Sequence, residues 1–386
     1  MTNGGDVAAI TKTIRDFADS MTEGMKPSVR KHFKEYFLGI LIPPEIRRKS
    51  ISNIADLVSY HDQSTINRAF HNIDHERMEA NYLNFLKTLI GNHEAMFIGD
   101  DTLLNHPGSH VMESVGWFFD RKDGKNVLAH QAVTTGIYDL VTDRFYPFLM
   151  RLYRKKDDAG SEFRTKLEIM EELIGIAGNN FNVTGKVLDS WYSSFHLMGD
   201  HYVTEMKSDR KASFTDLGKI KPSNHDLFFT MNEILDITMF MESRDIDQDS
   251  PLKDFPLCRQ YNVFLTNGNP VNLLVLYDQE SGRRKFLVSD YLDMEGIIRA
   301  WDIRWRIETF HNDAKDLGMG EYQVRFREGP LIQAGISSLA CTLLSLMIQD
   351  SKRLFGRILT TIGQCSRAIK KVLIFKRSYK SRLLSG

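Results

Sequence analysis

"EAMFIGDDT", residues 94–102, places four apolar side chains in a row, Ala95 to Ile98, ahead of Gly99 and two aspartates. A continuous apolar run of this length reads as a strand covered on both faces, and the acids that end it would lie at its tip. The same pattern returns in "GKVLDSWYS", residues 185–193, where a short apolar strand runs into Asp189. Two such strands point to an α/β core. "VGWFFD" (115–120), "HQAVTTGIYD" (130–139) and "HYVTEMK" (201–207) supply further strands, and "EFRTKLEIMEELIGIAG" (162–178) supplies a helix between them. From 218 to 290 the texture is β-rich, with strands in "QYNVFLTNGNPVNLLVLYD" and "RKFLVSD" and a turn at Asn267 and Gly268.

Composition sets wider bounds. The chain has 386 residues, 42% hydrophobic and 26% charged, which is the balance of an ordinary soluble protein with room for a large core. Its three cysteines, Cys258, Cys341 and Cys365, are far apart and odd in number, so they suggest neither a disulfide framework nor a zinc motif. A cytoplasmic setting fits, and the polar N-terminus lacks the apolar stretch of a signal peptide. "LIQAGISSLACTLLSLMI" (331–348) has the length of a membrane span. It carries Gln333, Ser337, Ser338, Thr342 and Ser345 without aromatic anchors, so it reads as a buried helix and no membrane is expected. Lys and Arg balance Asp and Glu at 50 each, yet residues 351–386 hold ten basic residues and no acid. A basic tail on an acidic body suggests a polyanionic partner.

Residues 1 to about 92 read as helical. Within "KSISNIADLVSYHDQSTINRAFHN" (49–72), two short amphipathic stretches flank a turn at "SYHD", with Asp62 or Ser64 able to cap the second. This is helix-turn-helix spacing, and the second helix would expose Gln63, Ser64, Thr65, Asn67, Arg68 and His71 to phosphates or base edges. A helical hairpin with a solvated face is the alternative. Late in the chain, "WDIRWRIETFHNDAKDLG" (301–318) forms one helix. At about 100° per residue, Trp301, Arg304, Glu308 and Lys315 share an arc of roughly 60°, opposite Ile307, Phe310, Ala314 and Leu317. The charged stripe lines either a cleft or solvent. If that helix packs across the ends of the two strands, Glu308 meets Asp189 and either Asp100 or Asp101. Clustered carboxylates repel one another unless a cation joins them, and oxygen donors of this kind suit magnesium.

The spacing aromatic-x2-Arg-x3-Glu-x6-Lys from Trp301 to Lys315 resembles the Tyr-Arg-Glu-Lys signature of DDE transposases from prokaryotic insertion sequences of the insertion sequence 4 type. "IGDDT" and "VLDSWYSS" are similar to that family's first and second aspartate motifs, in the family's order, with a β-rich insertion between the second Asp and the Glu. The resemblance runs from about residue 35 to 350. It implies an RNase H-like catalytic core interrupted by the insertion, behind an all-helical DNA-binding region: 1–92 helical, 93–217 and 291–350 the two parts of the core, 218–290 the insertion, 351–386 the basic tail. It also implies binding of terminal inverted repeats and metal-dependent cleavage and strand transfer of double-stranded DNA, by a homodimer on the DNA, with Mg2+ or Mn2+. Asp101, Asp189 and Glu308 would be catalytic metal ligands, with Asp101 preferred over Asp100 because it directly precedes Thr102. Arg304 and Lys315 would contact phosphate. Trp301 stands where the family has tyrosine, keeping a stacking surface but losing the phenol oxygen. The reader helix would add Gln63, Thr65, Asn67 and Arg68 as DNA contacts. A DNA-binding protein without catalysis, or a stand-alone nuclease, shares most of these features. His93, His106, His110 and His130 lack a metal-ligand spacing, and Trp191 and Tyr192 read as core aromatics.

Overall fold

The computed structural model describes residues 6–42, 49–58, 61–107, 109, 111–218, 227–238, 241–247, 250, 252–322 and 324–374. Five helices come first: α1 (Val7–Met21), α2 (Pro27–Leu41), α3 (Ile51–Val58), α4 (Gln63–His71) and α5 (His75–Ile90). Aspartates start three of them, because a carboxylate at the N-cap accepts an otherwise unpaired N–H. Asp6 accepts from Ala9 at 3.0 Å, Asp62 from Thr65 at 2.8 Å and Asp74 from Arg77 at 3.0 Å. The rings of Phe17, Phe33 and Phe37 stack through the centre of this region, at 5.6 Å and 5.9 Å between centroids. Asp62→Ala is therefore expected to fray α4, seen as faster amide exchange at Thr65 and Ile66 with exchange in the central sheet unchanged.

Among the described residues one 12-stranded sheet organises the rest. Its first part comprises β1 (Glu94–Asn105), β2 (Gly116–Asp120), β3 (Lys125–Asp139), β4 (Arg144–Tyr153), β5 (Asn182–Leu188) and β6 (Tyr202–Met206). The short α6 (Lys156–Ala159), α7 (Lys166–Asn180) and the short α8 (Phe195–Met198) lie between these strands in the chain. β1 runs antiparallel to β3 and parallel to β5, β5 runs parallel to β6, and β2 and β4 pair with β3. A Cβ on Gly99 would come within 2.6 Å of Met170, so glycine lets α7 lie close against β1. A capping box at Thr165 and Glu168 begins α7.

The β-rich segment contains β7 (Lys211–Ser213), β8 (Phe229–Thr230), α9 (Met231–Ile237), β9 (Arg244–Asp245), β10 (Leu257–Leu265), β11 (Pro270–Tyr277) and β12 (Arg284–Ser289). It does not form a sheet of its own. β12 pairs antiparallel with β6, and the order continues β12-β11-β10-β7-β8. Its side chains fill a second core around Tyr202, Met231, Leu273 and Val288.

Among the described residues four helices follow: α10 (Met294–Asp316), α11 (Gly329–Gln349), α12 (Ser351–Phe355) and α13 (Ile362–Ile374). α11 is long and apolar enough to cross a membrane, but 72% of its most apolar window is buried in the protein. Its polar groups are paired inside: the Gln333 amide donates to the Gly318 carbonyl at 2.9 Å and accepts from the Tyr36 hydroxyl at 2.5 Å. The first part of the expected basic tail is helical and bound to the core, since α13 packs against α11 and α1 and buries Cys365, Ala368 and Ile369. Lys376, Arg377, Lys380 and Arg382 lie outside the described residues.

Candidate active site

β1 and β5 stay paired as far as Gly99 and Leu188, where β5 ends while β1 continues to Asn105. The acids of the two strands therefore lie at an opening beside β1, and not at its tip. Side chains alternate along a strand, and the alternation separates Asp100 from Asp101. Asp100 faces α10, where its Oδ2 accepts from Arg304 Nη1 at 3.1 Å. The other arm of the same guanidinium, Nη2, pairs with Glu308 one helical turn on. Asp189 is near enough for its charge to act on both Asp100 and Arg304. Arg304 thus pairs with two carboxylates, one from β1 and one from α10, and feels the charge of a third just past the end of β5.

Asp101 turns to the opposite face. Its Oδ2 accepts from Gln131 Nε2 at 2.5 Å and from Lys166 Nζ, on α7, at 3.1 Å. In the structure Asp101 therefore lies away from Glu308, because a one-residue step along a strand moves a side chain through the sheet.

Electrostatics follow from this packing. Burial pushes the Asp100 carboxyl up to about 7, the neighbouring charges of Asp189 and Asp101 add to the rise, and Arg304 opposes it. His311, one turn past Glu308, is buried, and burial lowers its imidazole to about 3, with Lys315 and Arg304 contributing, so it is neutral. Its Nε2 meets Thr134 Oγ1 at 2.7 Å, and Thr134 lies opposite Asp100 in the β1–β3 register. Tyr192 is buried beside the acids, and burial, then Asp101, Asp100 and Asp189, raise its phenol well above the ordinary range. The sequence gives no signal for Thr134 or Gln131, whose places depend on strand register.

Trp301 lies against the same guanidinium. It is 3% exposed, with the Arg304 guanidinium 4.5 Å and Lys285 Nζ 5.1 Å from its ring centroid. The indole has no open face for a base; it braces Arg304 instead. Trp191, read as a core residue, is 48% exposed and has Lys166 at 4.8 Å and Lys207 at 5.6 Å, whereas its neighbour Tyr192 is buried. Lys315 is exposed near Asp120 of β2. On α4, Gln63, Ser64, Arg68 and His71 are exposed, while Thr65 and Asn67 are half-buried. Among the other histidines, His93 pairs with Asp139 at 2.9 Å, and His130 binds the Tyr322 hydroxyl at 2.7 Å. The His106 ring lies 4.2 Å from that of Tyr322. His110 lies outside the described residues.

The mixed sheet with helices on its faces and acids beside β1 agrees with a class of DNA-processing proteins, the DDE transposases, to which the family match assigns the chain. Residues 9–340 match the family described as archaeal putative transposase ISC1217, and the chain belongs to that family. No curated protein matches its sequence. Among solved structures, it is similar to the piggyBac transposase in a cryo-EM synaptic complex with hairpin DNA. The TM-score is 0.52 at 10% identity, over 100% of this chain and 83% of that one. At that identity the likeness is one of fold.

Proposed function

We propose that this transposase binds the terminal inverted repeats of its own element and catalyses metal-dependent cleavage and strand transfer there, with Asp100, Asp189 and Glu308 as the acidic set. One observation carries the reading: the Arg304 guanidinium joins Asp100 to Glu308, while the Asp189 charge acts on Asp100 and on Arg304 itself. The strand order β4-β3-β1-β5-β6, with β5 and β6 parallel to β1, supports an RNase H-like core, and the 301–315 spacing supports the insertion sequence 4 type.

The donor set is all carboxylate oxygen, which fits Mg2+ or Mn2+, and three half-buried acids around one guanidinium leave negative charge to be balanced. When bound there, such an ion polarises a phosphodiester and lowers the pKa of a water. The protein's part is to hold and orient. Asp100, Asp189 and Glu308 would fix the ion between rigid elements. Arg304, braced by Trp301, would turn from its carboxylate partners to a phosphate oxygen of the cut strand. Water oxygen bonds to phosphorus as the 3′-oxygen leaves with a proton; that 3′-hydroxyl then attacks a target phosphodiester, releasing another 3′-hydroxyl. No covalent enzyme intermediate is needed. Lys315 would hold the strand further along, and the exposed face of α4 would read the repeat. Two ends cut in concert imply a homodimer on DNA, in a prokaryotic cytoplasm.

Incubation with duplex bearing the element's terminal repeats tests this reading. Breaks at the repeat boundary are expected with magnesium and none without it; end binding without cleavage in any divalent ion would contradict it. Arg68→Ala and Asn67→Ala are expected to weaken binding to the repeat by about tenfold or more each, relative to random duplex, as measured by gel shift. Equal loss on both duplexes would make these residues phosphate contacts.

A pH dependence also follows. The folded value of Asp100, about 7, lies above its ordinary 3.8, so the linked stabilisation is fully present below about 3.8 and is lost as pH rises through about 7. An ion must displace that proton. Calorimetric Mn2+ affinity of the full chain is therefore expected to rise roughly tenfold per pH unit up to about 7 and then level off. Asp100→Asn should bind weakly, with this limb of the profile absent.

A further inference from the structure

Away from the acidic site, His32 and Glu35 on α2 meet His61, in the turn just before the Asp62 cap of α4. One ligand atom from each residue lies within 4.8 Å of the other two. His32 Nδ1 is 3.1 Å from Glu35 Oε2, and His61 Nε2 is 3.7 Å from Glu35 Oε1. The imidazole rings stand edge to face, with centroids 4.8 Å apart. Among the described residues this is the one group of three such donors that meets so closely. The acids around Arg304 are spread more widely.

From these residues we infer a second metal site, for a transition-metal dication of the zinc class, that ties α2 to the α3–α4 turn. Zinc with arms of about 2.0–2.1 Å in tetrahedral geometry places its ligand atoms about 3.3 Å apart. The two His–Glu separations, each to a different carboxylate oxygen, bracket that value, and with all three donors within 4.8 Å of one another the side chains have only to close in on the ion. Two imidazole nitrogens and one carboxylate suit zinc and disfavour magnesium, which prefers oxygen and keeps several waters. Glu35 is 1% exposed and the two histidines are partly exposed, so the carboxylate forms the floor of the site and the imidazoles its mouth. Spacing helps only in part: His32 and Glu35 are i,i+3 on one helix, whereas His61 is brought in by the fold. The binding claim is independent of the transposase chemistry. Its consequence, a fixed approach for α4, rests on the DNA-reading role proposed for that helix.

The test uses the full chain, stripped with chelator and titrated with zinc in competition with a chromophoric chelator. The expected result is one zinc per chain bound tightly, lost in His61→Ala and in Glu35→Gln and retained in Asp189→Asn. His61 lies in a partly exposed turn, so its variant is expected to fold. Thermal unfolding gives a second reading: zinc should raise the midpoint of the wild type and leave that of His61→Ala unchanged. Equal zinc binding by wild type and His61→Ala would overturn the proposal. So would loss of zinc in Asp189→Asn with retention in His61→Ala, because the ion would then belong to the acidic site.

Discussion

Asp100→Ala is expected to lower DNA cleavage in magnesium by at least about a thousandfold, and Asp101→Ala to lower it far less. Loss of a carboxylate that holds a catalytic ion removes several kcal/mol of transition-state stabilisation, and each 1.36 kcal/mol is a factor of ten in rate. Asp189→Ala and Glu308→Ala should behave like Asp100→Ala, with binding of the repeats kept in all three. Asp101 accepts from Gln131 and Lys166 on the α7 side of the sheet, so its removal costs local packing and leaves the set around Arg304 in place. Single-turnover cleavage on end-bearing duplex distinguishes the pair. An active Asp100→Ala beside a dead Asp101→Ala would show that the strand is turned over relative to the structure.

The second large effect is at Trp301. Trp301→Ala should destabilise the protein by about 3–5 kcal/mol, because the indole is buried and its loss leaves a cavity against α10 and the sheet. It should also slow cleavage, since Arg304 loses the ring that braces it. Trp301→Phe, which keeps a ring, should recover much of both. DNA affinity is the discriminating measurement. A residue that stacks on DNA would lower affinity when removed from a folded protein, whereas the buried Trp301 should leave affinity nearly unchanged in whatever fraction remains folded. Denaturant unfolding and gel shift on the same preparations separate the two roles.

These two residues also mark how far the sequence could be read. The apolar runs before Asp100 and Asp189 identify strands because buried strands need no polar face, and the α10 spacing shows that Arg304 and Glu308 share a side. Periodicity cannot tell which of two adjacent acids faces a helix that comes about 200 residues later; that depends on which side of the sheet α10 packs. It reads Trp301 correctly as part of the stripe, but not that the stripe presses inward on a strand opening. β4 is illegible for another reason. Pro147 argues against a strand, yet β4 carries it opposite Gly136, beside a register irregularity between Thr134 and Gly136, and bulges are where a sheet tolerates proline. The basic residues of 351–386 suggest a free tail by charge alone. The apolar positions of α13, Cys365, Ala368 and Ile369, show that its first part is bound to the core.

The central claim, that Asp100, Asp189 and Glu308 hold one metal centre, is tested most directly by iron-directed cleavage of the protein itself. With Fe2+, ascorbate and peroxide, radicals form at the bound ion and cut the nearest backbone, and mass spectrometry of the fragments locates the cuts. The expected result is cleavage near residues 100, 189 and 308, suppressed by excess magnesium and absent in Asp100→Asn. Cuts confined to the region of residues 32 and 61, or cuts near 100 that persist in Asp100→Asn, would contradict it.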